Sequence, residues 1–222
     1  MSTPPPERPA NGRESTRDKI VSAALRVFAT KGFEAATLKE ITTLSQTNVA
    51  AIHYHFGSKE ALIQAVLGSV ADPINQLRMQ LLESVPAQER TLRHVVHALV
   101  APPIRLSFDA TGDARLLTRL LLQARVLPSE FTSSTIFAHY DATAMRFVKA
   151  LMDATPSLTP KDAYWRYAFA IGAMHYIVTE SDAGHHRLKR LSGGQCDTDD
   201  PDAIIDQLIA FVVAGFQAPA HR

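Results

Sequence analysis

A helix predicted over residues 49–56 carries side chains whose sizes and polarities suit contact with double-stranded DNA. Ala50 and Ala51 near its start are small enough to let a helix approach base edges in the major groove, which is about 12 Å wide. His53 and Tyr54 lie beyond them and can reach phosphate oxygens. The spacing therefore predicts a recognition helix that presents a small and polar side to DNA.

The residues around this helix are suited to hold it in place. Asn48 is a good N-cap for it, and Gly57 can end it. Ser58 then caps a fourth helix that opens with Lys59, where free amides and the helix dipole also favour phosphate. Three apolar residues are spaced to bury the opposite side of the recognition helix: Val49, Ile52 and Phe56.

Two helices precede it in the sequence. The first begins near Ser15 and ends at Gly32, with an apolar stripe between them. The second opens with a capping box, in which the Thr37 hydroxyl accepts from the amide of residue 40 and Glu40 reaches back to the amide of Thr37. A polar turn over residues 45–48 then leads to the recognition helix, which completes a helix-turn-helix.

No pattern in the chain predicts catalysis, a metal or a cofactor. The motifs G-x-S-x-G and H-E-x-x-H and the P-loop are absent from the sequence, and its nine histidines do not have zinc-ligand spacing. The acidic run over residues 197–202 lacks the central glycine and distal glutamate of a calcium loop. We therefore expect a protein that is not an enzyme. Cys196 is the single cysteine, which excludes an intramolecular disulfide and suits a reducing cytoplasm.

The composition favours helices over sheet. The chain has 222 residues, 46% of them hydrophobic, with few glycines and little alternation of β-branched residues. The net charge of +1 is only a weak argument for nucleic acid, so the prediction of DNA binding depends on geometry. No apolar run reaches about 18 residues, and the N-terminus lacks the apolar core of a signal peptide, so we expect a cytoplasmic protein without a membrane span.

The longer helices of the C-terminal part are marked mainly by prolines. Pro73 predicts a kink or break, Pro102-Pro103 the end of a helix, and Pro160 the first turn of another. We expect a disordered tail over residues 1–14, a DNA-binding domain over 15–62 and a helical body over 63–218, with a flexible linker at 181–200 before the last helix.

Residues 17–62 resemble the TetR/AcrR family of regulators, and the run Tyr54-His55-Phe56-Gly57-Ser58-Lys59-Glu60 follows the family's signature closely. The resemblance implies an all-α fold, with an N-terminal three-helix helix-turn-helix domain followed by a larger helical domain for ligand binding and dimerisation. Two positions depart from the family, which usually has Gly and Val in the turn where this chain has Gln46 and Thr47. That departure affects turn geometry and base preference.

The resemblance also implies roles for single residues. Thr37, Tyr54 and Lys59 match phosphate-contacting positions, and a second group matches positions that face bases or the nearby backbone: Thr47, Ala50, Ala51 and His53. We include the cap residue Asn48 with this surface. Each has a structural alternative, since Thr37 is first a cap, Tyr54 could pack on the core, and Lys59 could be only a solvated charge.

Two further sites are implied for the C-terminal body. Large side chains of the middle helices are candidates for lining an effector pocket, although core packing is the alternative for each: Leu117, Leu121, Arg125, Phe131, Phe137, Tyr140, Trp165, Phe169 and Met174. A four-helix dimer interface is expected from small residues of the penultimate long helix and the broad apolar face of the last helix, with burial inside the subunit as the alternative: Ala168, Gly172, Ile204, Ile205, Leu208, Ile209, Val212 and Phe216.

Three functions compete at this point. The first is a homodimeric repressor that a small hydrophobic effector releases from a palindromic operator. The second is an activator or architectural factor that binds double-stranded DNA without an effector. The third is a helical protein or enzyme that reuses the fold and does not bind DNA, which the absence of a catalytic constellation disfavours.

Overall fold

The protein folds as a bundle of helices. The structure is a computed structural model that describes residues 15–109, 112–126, 130–180 and 186–219, except for the side chains between 123 and 138. These ranges contain no strand, which confirms the all-α prediction. The predicted tail over residues 1–14 lies outside them. The helices are α1 Thr16–Ala35, α2 Leu38–Ser45, α3 Val49–Phe56, α4 Lys59–Glu83, α5 Leu92–Ser107, α6 Asp113–Val126, α7 Glu130–Ala154, α8 Pro160–Glu180, α9 Arg187–Leu191 and α10 Pro201–Gln217, with a 3-10 turn at Ala87–Glu89.

Helix α1 begins near the predicted start at Ser15, and α2, α3 and α4 begin at the predicted caps. The side chains of Ser15, Thr37, Asn48 and Ser58 each accept a hydrogen bond from a backbone amide three residues on, which satisfies a donor in the first turn. At Gly32 the backbone turns to a φ of 81°, a conformation that glycine adopts without steric cost. These local signals define the helix-turn-helix before any long-range packing is considered.

Helix α4 connects two apolar cores. Its first half packs with α1 to α3 and α6, whereas Leu82 near its end belongs to a second core formed mainly by α5, α8 and α10. The predicted domain boundary at residue 62 therefore falls inside a continuous helix. Pro73 does not break α4, because it is exposed while Val70 and Ile74 on either side keep the helix packed.

Helix α5 continues through the two prolines that were expected to end it. It runs to Ser107, and Pro102 and Pro103 are both buried within it, so that prediction is wrong. A proline at position 103 has no N–H to donate to the carbonyl of Leu99. Another donor satisfies that carbonyl, since Arg78 Nε lies 2.8 Å from Leu99 O. Burial of this segment and a bond from α4 thus replace the missing helix hydrogen bond.

The segment before the last helix, predicted to be a flexible linker, contains local structure. It contains α9, and Lys189 Nζ contacts Asp197 Oδ1 at 3.0 Å and Asp199 Oδ2 at 2.6 Å. The side chain of Thr198 is buried. Residues 186–200 thus contain a short helix and ion pairs within the predicted linker, while residues 181–185 lie outside the described ranges.

Candidate DNA-binding surface and effector cavity

Helix α3 is fixed by one side and presents the other to solvent. Ile52 is fully buried in the N-terminal core, and the partly buried Ala51 packs against that core. Ala50 is exposed, and Tyr54 is 86% exposed, so the alternative that Tyr54 packs on the core is wrong. A small-faced helix that projects Tyr54 outward has the shape that entry into a major groove requires.

The turn before α3 has a left-handed residue at the place where glycine is usual in the family that the sequence resembles. Gln46 adopts φ 55° and ψ 42° and caps the C-terminus of α2, with its amide donating to Thr42 O. Thr47 is half-buried, and its hydroxyl lies 2.8 Å from the Ser45 hydroxyl. The turn is therefore formed with both substituted residues, and the Thr47 hydroxyl is engaged within the protein.

The start of α2 is held by the predicted capping box. The Thr37 amide donates to Glu40 Oε2 at 3.0 Å, and the Glu40 amide donates to the Thr37 hydroxyl at 3.3 Å. Lys31 of α1 donates to the other carboxylate oxygen of Glu40. The hydrogen bonds from Lys31 and Thr37 lower the pKa of Glu40 to about 2. One carboxylate thus links the end of α1 to the beginning of α2.

The remaining predicted DNA contacts lie at the junction of α3 and α4. His53 is exposed, and its Nδ1 lies 3.0 Å from Gly57 O, which orients the ring at the helix end. Lys59 Nζ donates to Glu34 O at 3.0 Å. That bond holds the ammonium beside the last turn of α1, so an incoming phosphate has to compete with a neutral carbonyl.

Sequence reasoning did not identify Arg17. Its guanidinium lies over the Phe56 ring, 5.4 Å from the centroid, at the end of α3, and the residue is exposed. A signal was available in the sequence, because a cation in the first turn of a helix is disfavoured by the helix dipole. An anion bound from outside the protein, such as a DNA phosphate, would offset the unfavourable interaction of the Arg17 charge with the helix dipole.

A cavity of about 190 Å³ opens in the C-terminal body. Two of the predicted pocket residues, Leu121 and Tyr140, line it. The other lining residues were not predicted for the pocket: Arg78, Asp141, Ala144, Tyr167, Ala168, Ile171 and His175. Met174 is buried behind the wall, with its sulfur 3.4 Å from Arg78 Nη2. Leu117 lies in the N-terminal core between α1 and α6. The side chains of Arg125, Phe131 and Phe137 lie outside the described residues.

Two aromatic residues expected in the pocket lie on the surface. Trp165 and Phe169 are 58% and 63% exposed on α8, and their rings stack with centroids 5.8 Å apart. The prediction that they line an internal cavity is therefore wrong. They share an exposed face of α8 with Ala168, Gly172 and Tyr176, which recur at helical spacing.

The last helix is buried in its own subunit along the face that was expected to meet a partner. Six side chains of α10 are buried in the second core, mainly against α5 and α8: Ile204, Ile205, Leu208, Ile209, Val212 and Phe216. They are not available to a second copy, which corrects the expectation for these residues. The same helix exposes Phe211 on its other side, whereas Ala168 and Gly172 of α8 are exposed as the dimer prediction requires.

The N-terminal helices form a helix-turn-helix whose third helix is capped and presents small side chains. Helix α4 joins this motif to a helical body with a cavity. This arrangement is that of a helix-turn-helix regulator with a separate helical domain. A family model described as "Bacterial regulatory proteins, tetR family" matches residues 20–66. One described as "Tetracyclin repressor-like, C-terminal domain" matches residues 97–215, which is more than half of the chain. The chain belongs to the TetR family.

Individual relatives agree with this assignment. The chain is 37% identical over 87 residues to the HTH-type transcriptional repressor NicS of Pseudomonas putida, a match that covers 39% of this chain and 41% of the relative. It spans about half or less of the length of the curated relatives that it matches.

Solved structures share the fold over almost the whole length. A TetR-family regulator from Bordetella parapertussis aligns with a TM-score of 0.66 at 16% identity, covering 90% of this chain and 95% of the other. A TetR-like regulator from Rhodococcus sp. RHA1 gives 0.65 at 16% identity, covering 93% and 98%. None of the helices in the described ranges has the length and apolar character that crossing a bilayer requires.

Proposed function

We propose that this protein is a cytoplasmic, homodimeric transcription regulator that binds a palindromic operator as a repressor and leaves it when a small hydrophobic effector binds. The observation that carries the proposal is the presentation of α3, whose buried Ile52 fixes a helix with Ala50 and Tyr54 turned outward. Twin copies of such a helix would read successive major grooves, about 34–36 Å apart on one face of the duplex.

A physical connection between the cavity and the DNA-binding helices supports the role of an effector. Leu121 lines the cavity and also belongs to the N-terminal core, where α6 packs against α1. An occupant that displaces α6 would therefore shift the support on which α1 rests. A coupling free energy of about 1–3 kcal/mol between the two sites would weaken DNA binding roughly 5–150-fold.

The test of DNA binding is selection of bound sequences from random duplexes with the full chain. We expect a palindromic motif whose half-sites lie about one helical turn apart. Tyr54→Ala and Lys59→Ala should each weaken binding about tenfold on specific and nonspecific DNA alike, and Lys59→Ala should reduce the salt slope by roughly one. Lys161→Ala removes the same charge from the first turn of α8 and should bind as the wild type does.

Two outcomes would contradict the proposal. Selection that enriches no motif, together with no binding at low salt, excludes a DNA-binding regulator. Wild-type affinity in both Tyr54→Ala and Lys59→Ala excludes their phosphate contacts.

A further inference from the structure

The C-terminal body holds a buried cation at the wall of its cavity. Arg78 of α4 lines the cavity and is only 6% exposed. Among the described residues, no carboxylate forms an ion pair with it, and burial lowers the pKa of its guanidinium. A buried charge without an opposite charge is costly, so this position requires a compensating interaction.

The described residues fix this guanidinium through three hydrogen bonds and leave some of its N–H groups without an acceptor. Arg78 Nε donates to Leu99 O, the carbonyl that Pro103 leaves without its helix partner. Nη1 donates to Asn75 Oδ1 and Nη2 to Met174 Sδ, each at 3.4 Å, and among the described residues no further acceptor lies at the two Nη groups. A guanidinium carries five N–H donors, of which the Nη pair forms the fork that suits a carboxylate. The bond from Nε to Leu99 O thus fixes the guanidinium in a position from which its Nη groups can donate to an anion.

Tyr140 supplies a second donor on the same wall. Its hydroxyl oxygen is buried and has no hydrogen-bond partner among the described residues. Burial raises the pKa of Tyr140 to about 12, although the nearby Arg78 charge acts in the opposite direction. At neutral pH the phenol is therefore protonated and can donate to an anion.

The rest of the cavity limits the size and polarity of an occupant. Much of the wall is apolar, with Leu121, Ala144 and Ile171 beside the Tyr167 ring, while the exposed Asp141 and the half-buried His175 also line the cavity. Its volume of about 190 Å³ can be compared with the roughly 150 Å³ cavity, lined by Leu, Ile and Phe, that binds benzene in another protein. The space fits one ring, or a short alkyl chain, with a carboxylate attached.

We propose that this cavity binds a small apolar monocarboxylate, with the carboxylate on Arg78 and the Tyr140 hydroxyl and the apolar part against Leu121, Ala144 and Ile171. This proposal adds a chemical class of effector to the proposed function. Only the expected release from DNA rests on that function. Binding itself is a separate property of the C-terminal body.

Calorimetry with the full chain tests the binding. Benzoate and hexanoate are titrated against their neutral amides, benzamide and hexanamide, which match them in shape. We expect each acid to bind at least about tenfold more tightly than its amide, because the amide cannot form the charge-assisted bonds. Equal affinity of acid and amide, or no saturable binding of either acid, overturns the proposal.

Variants assign the effect to the named residues. Tyr140→Phe keeps the ring and should weaken benzoate binding several-fold while the protein stays folded. Arg78→Met should bind benzoate no better than benzamide. Arg93→Met removes an exposed arginine of α5 and should keep the wild-type preference. Should Arg78→Met fail to fold, the Tyr140→Phe result decides, and an unchanged affinity for benzoate in that variant overturns the site.

The same ligands are then added to the complex with selected DNA. Release by benzoate but not by benzamide supports both proposals. Saturable binding of benzoate without any change in DNA affinity keeps the carboxylate site and overturns the effector part of the proposed function.

Discussion

Glu40 is a partly exposed carboxylate that links the first two helices through hydrogen bonds. It accepts from the Thr37 amide, which starts α2, and from Lys31 near the end of α1. Both bonds favour the ionised form, so its pKa falls from 4.5 to about 2 on folding. A carboxyl group with a lowered folded-state pKa stabilises the protein above its unfolded pKa, and that contribution is lost as the pH falls through the folded value.

This predicts a specific acid sensitivity. Glu40→Gln should be less stable than the wild type at pH 6, and the difference should shrink between about pH 4.5 and pH 2, because the wild-type carboxylate becomes protonated there. Urea unfolding followed by circular dichroism across that range measures it. Glu89→Gln, in the exposed 3-10 turn, provides the control with the same chemical change. A gap between Glu40→Gln and wild type that does not vary with pH contradicts the assignment.

Gln46 illustrates what the sequence could and could not predict at single positions. The family resemblance singled it out as a departure that affects the turn, and the structure shows a left-handed backbone there, with a φ of 55°. Arg78 had no such signal, because the neighbouring residues in α4 do not distinguish a buried arginine from an exposed one. Its burial follows from the bond to Leu99 O across two helices, which no local pattern encodes.

Among the helices, predictions succeeded where local hydrogen bonds decide and failed where packing decides. The caps of α1 to α4 form with side chains close in sequence, and those of α2, α3 and α4 were predicted. The prediction that Pro102 and Pro103 end a helix was wrong, because burial of α5 outweighs their tendency to break helices. The apolar face of α10 was assigned to a partner, although its own subunit covers it. Periodicity shows that a face is buried but not which surface covers it.

Helix α10 ends at a cap that comes from another helix. The Arg166 guanidinium of α8 lies within hydrogen-bond distance of four carbonyls, those of Gly215, Phe216, Ala218 and Pro219, at 2.8–2.9 Å. These carbonyls have no further helical turn to bond with, and a cation at a helix C-terminus also meets the negative end of the dipole. Arg166 therefore fixes the end of α10 to α8.

Arg166→Ala should lower the free energy of unfolding by about 1–2 kcal/mol, since it removes charge-assisted bonds from a helix end. Hydrogen exchange should accelerate in the last turn of α10, which mass spectrometry can locate. Arg146→Ala removes an exposed arginine paired with Glu83 and should cost less than about 1 kcal/mol. Unchanged exchange in α10 of the Arg166→Ala protein would show that the end of the helix is held by other contacts.

At the scale of the whole molecule, the subunit leaves an apolar surface uncovered. Trp165, Phe169 and Tyr176 are all more than half exposed on one face of α8, and the neighbouring α10 exposes Phe211. Ala168 and Gly172 on the same face are small enough to let another helix approach closely. Several large apolar side chains exposed on one helix face are typical of a protein interface. We propose that this face forms the dimer, with α8 rather than the buried side of α10 at its centre.

A dimer formed through this face should separate when a charge is placed on it. Phe169→Glu should give the mass of one 24.3 kDa chain in light scattering after size exclusion, because an interface cannot bury an unpaired carboxylate without large cost. Affinity for a palindromic duplex should fall sharply while weak binding to a half-site remains, since α3 is untouched. Leu191→Glu changes an equally exposed apolar residue on α9 and should stay dimeric. If Phe169→Glu keeps the wild-type mass and operator affinity, the two recognition helices must be joined through another surface.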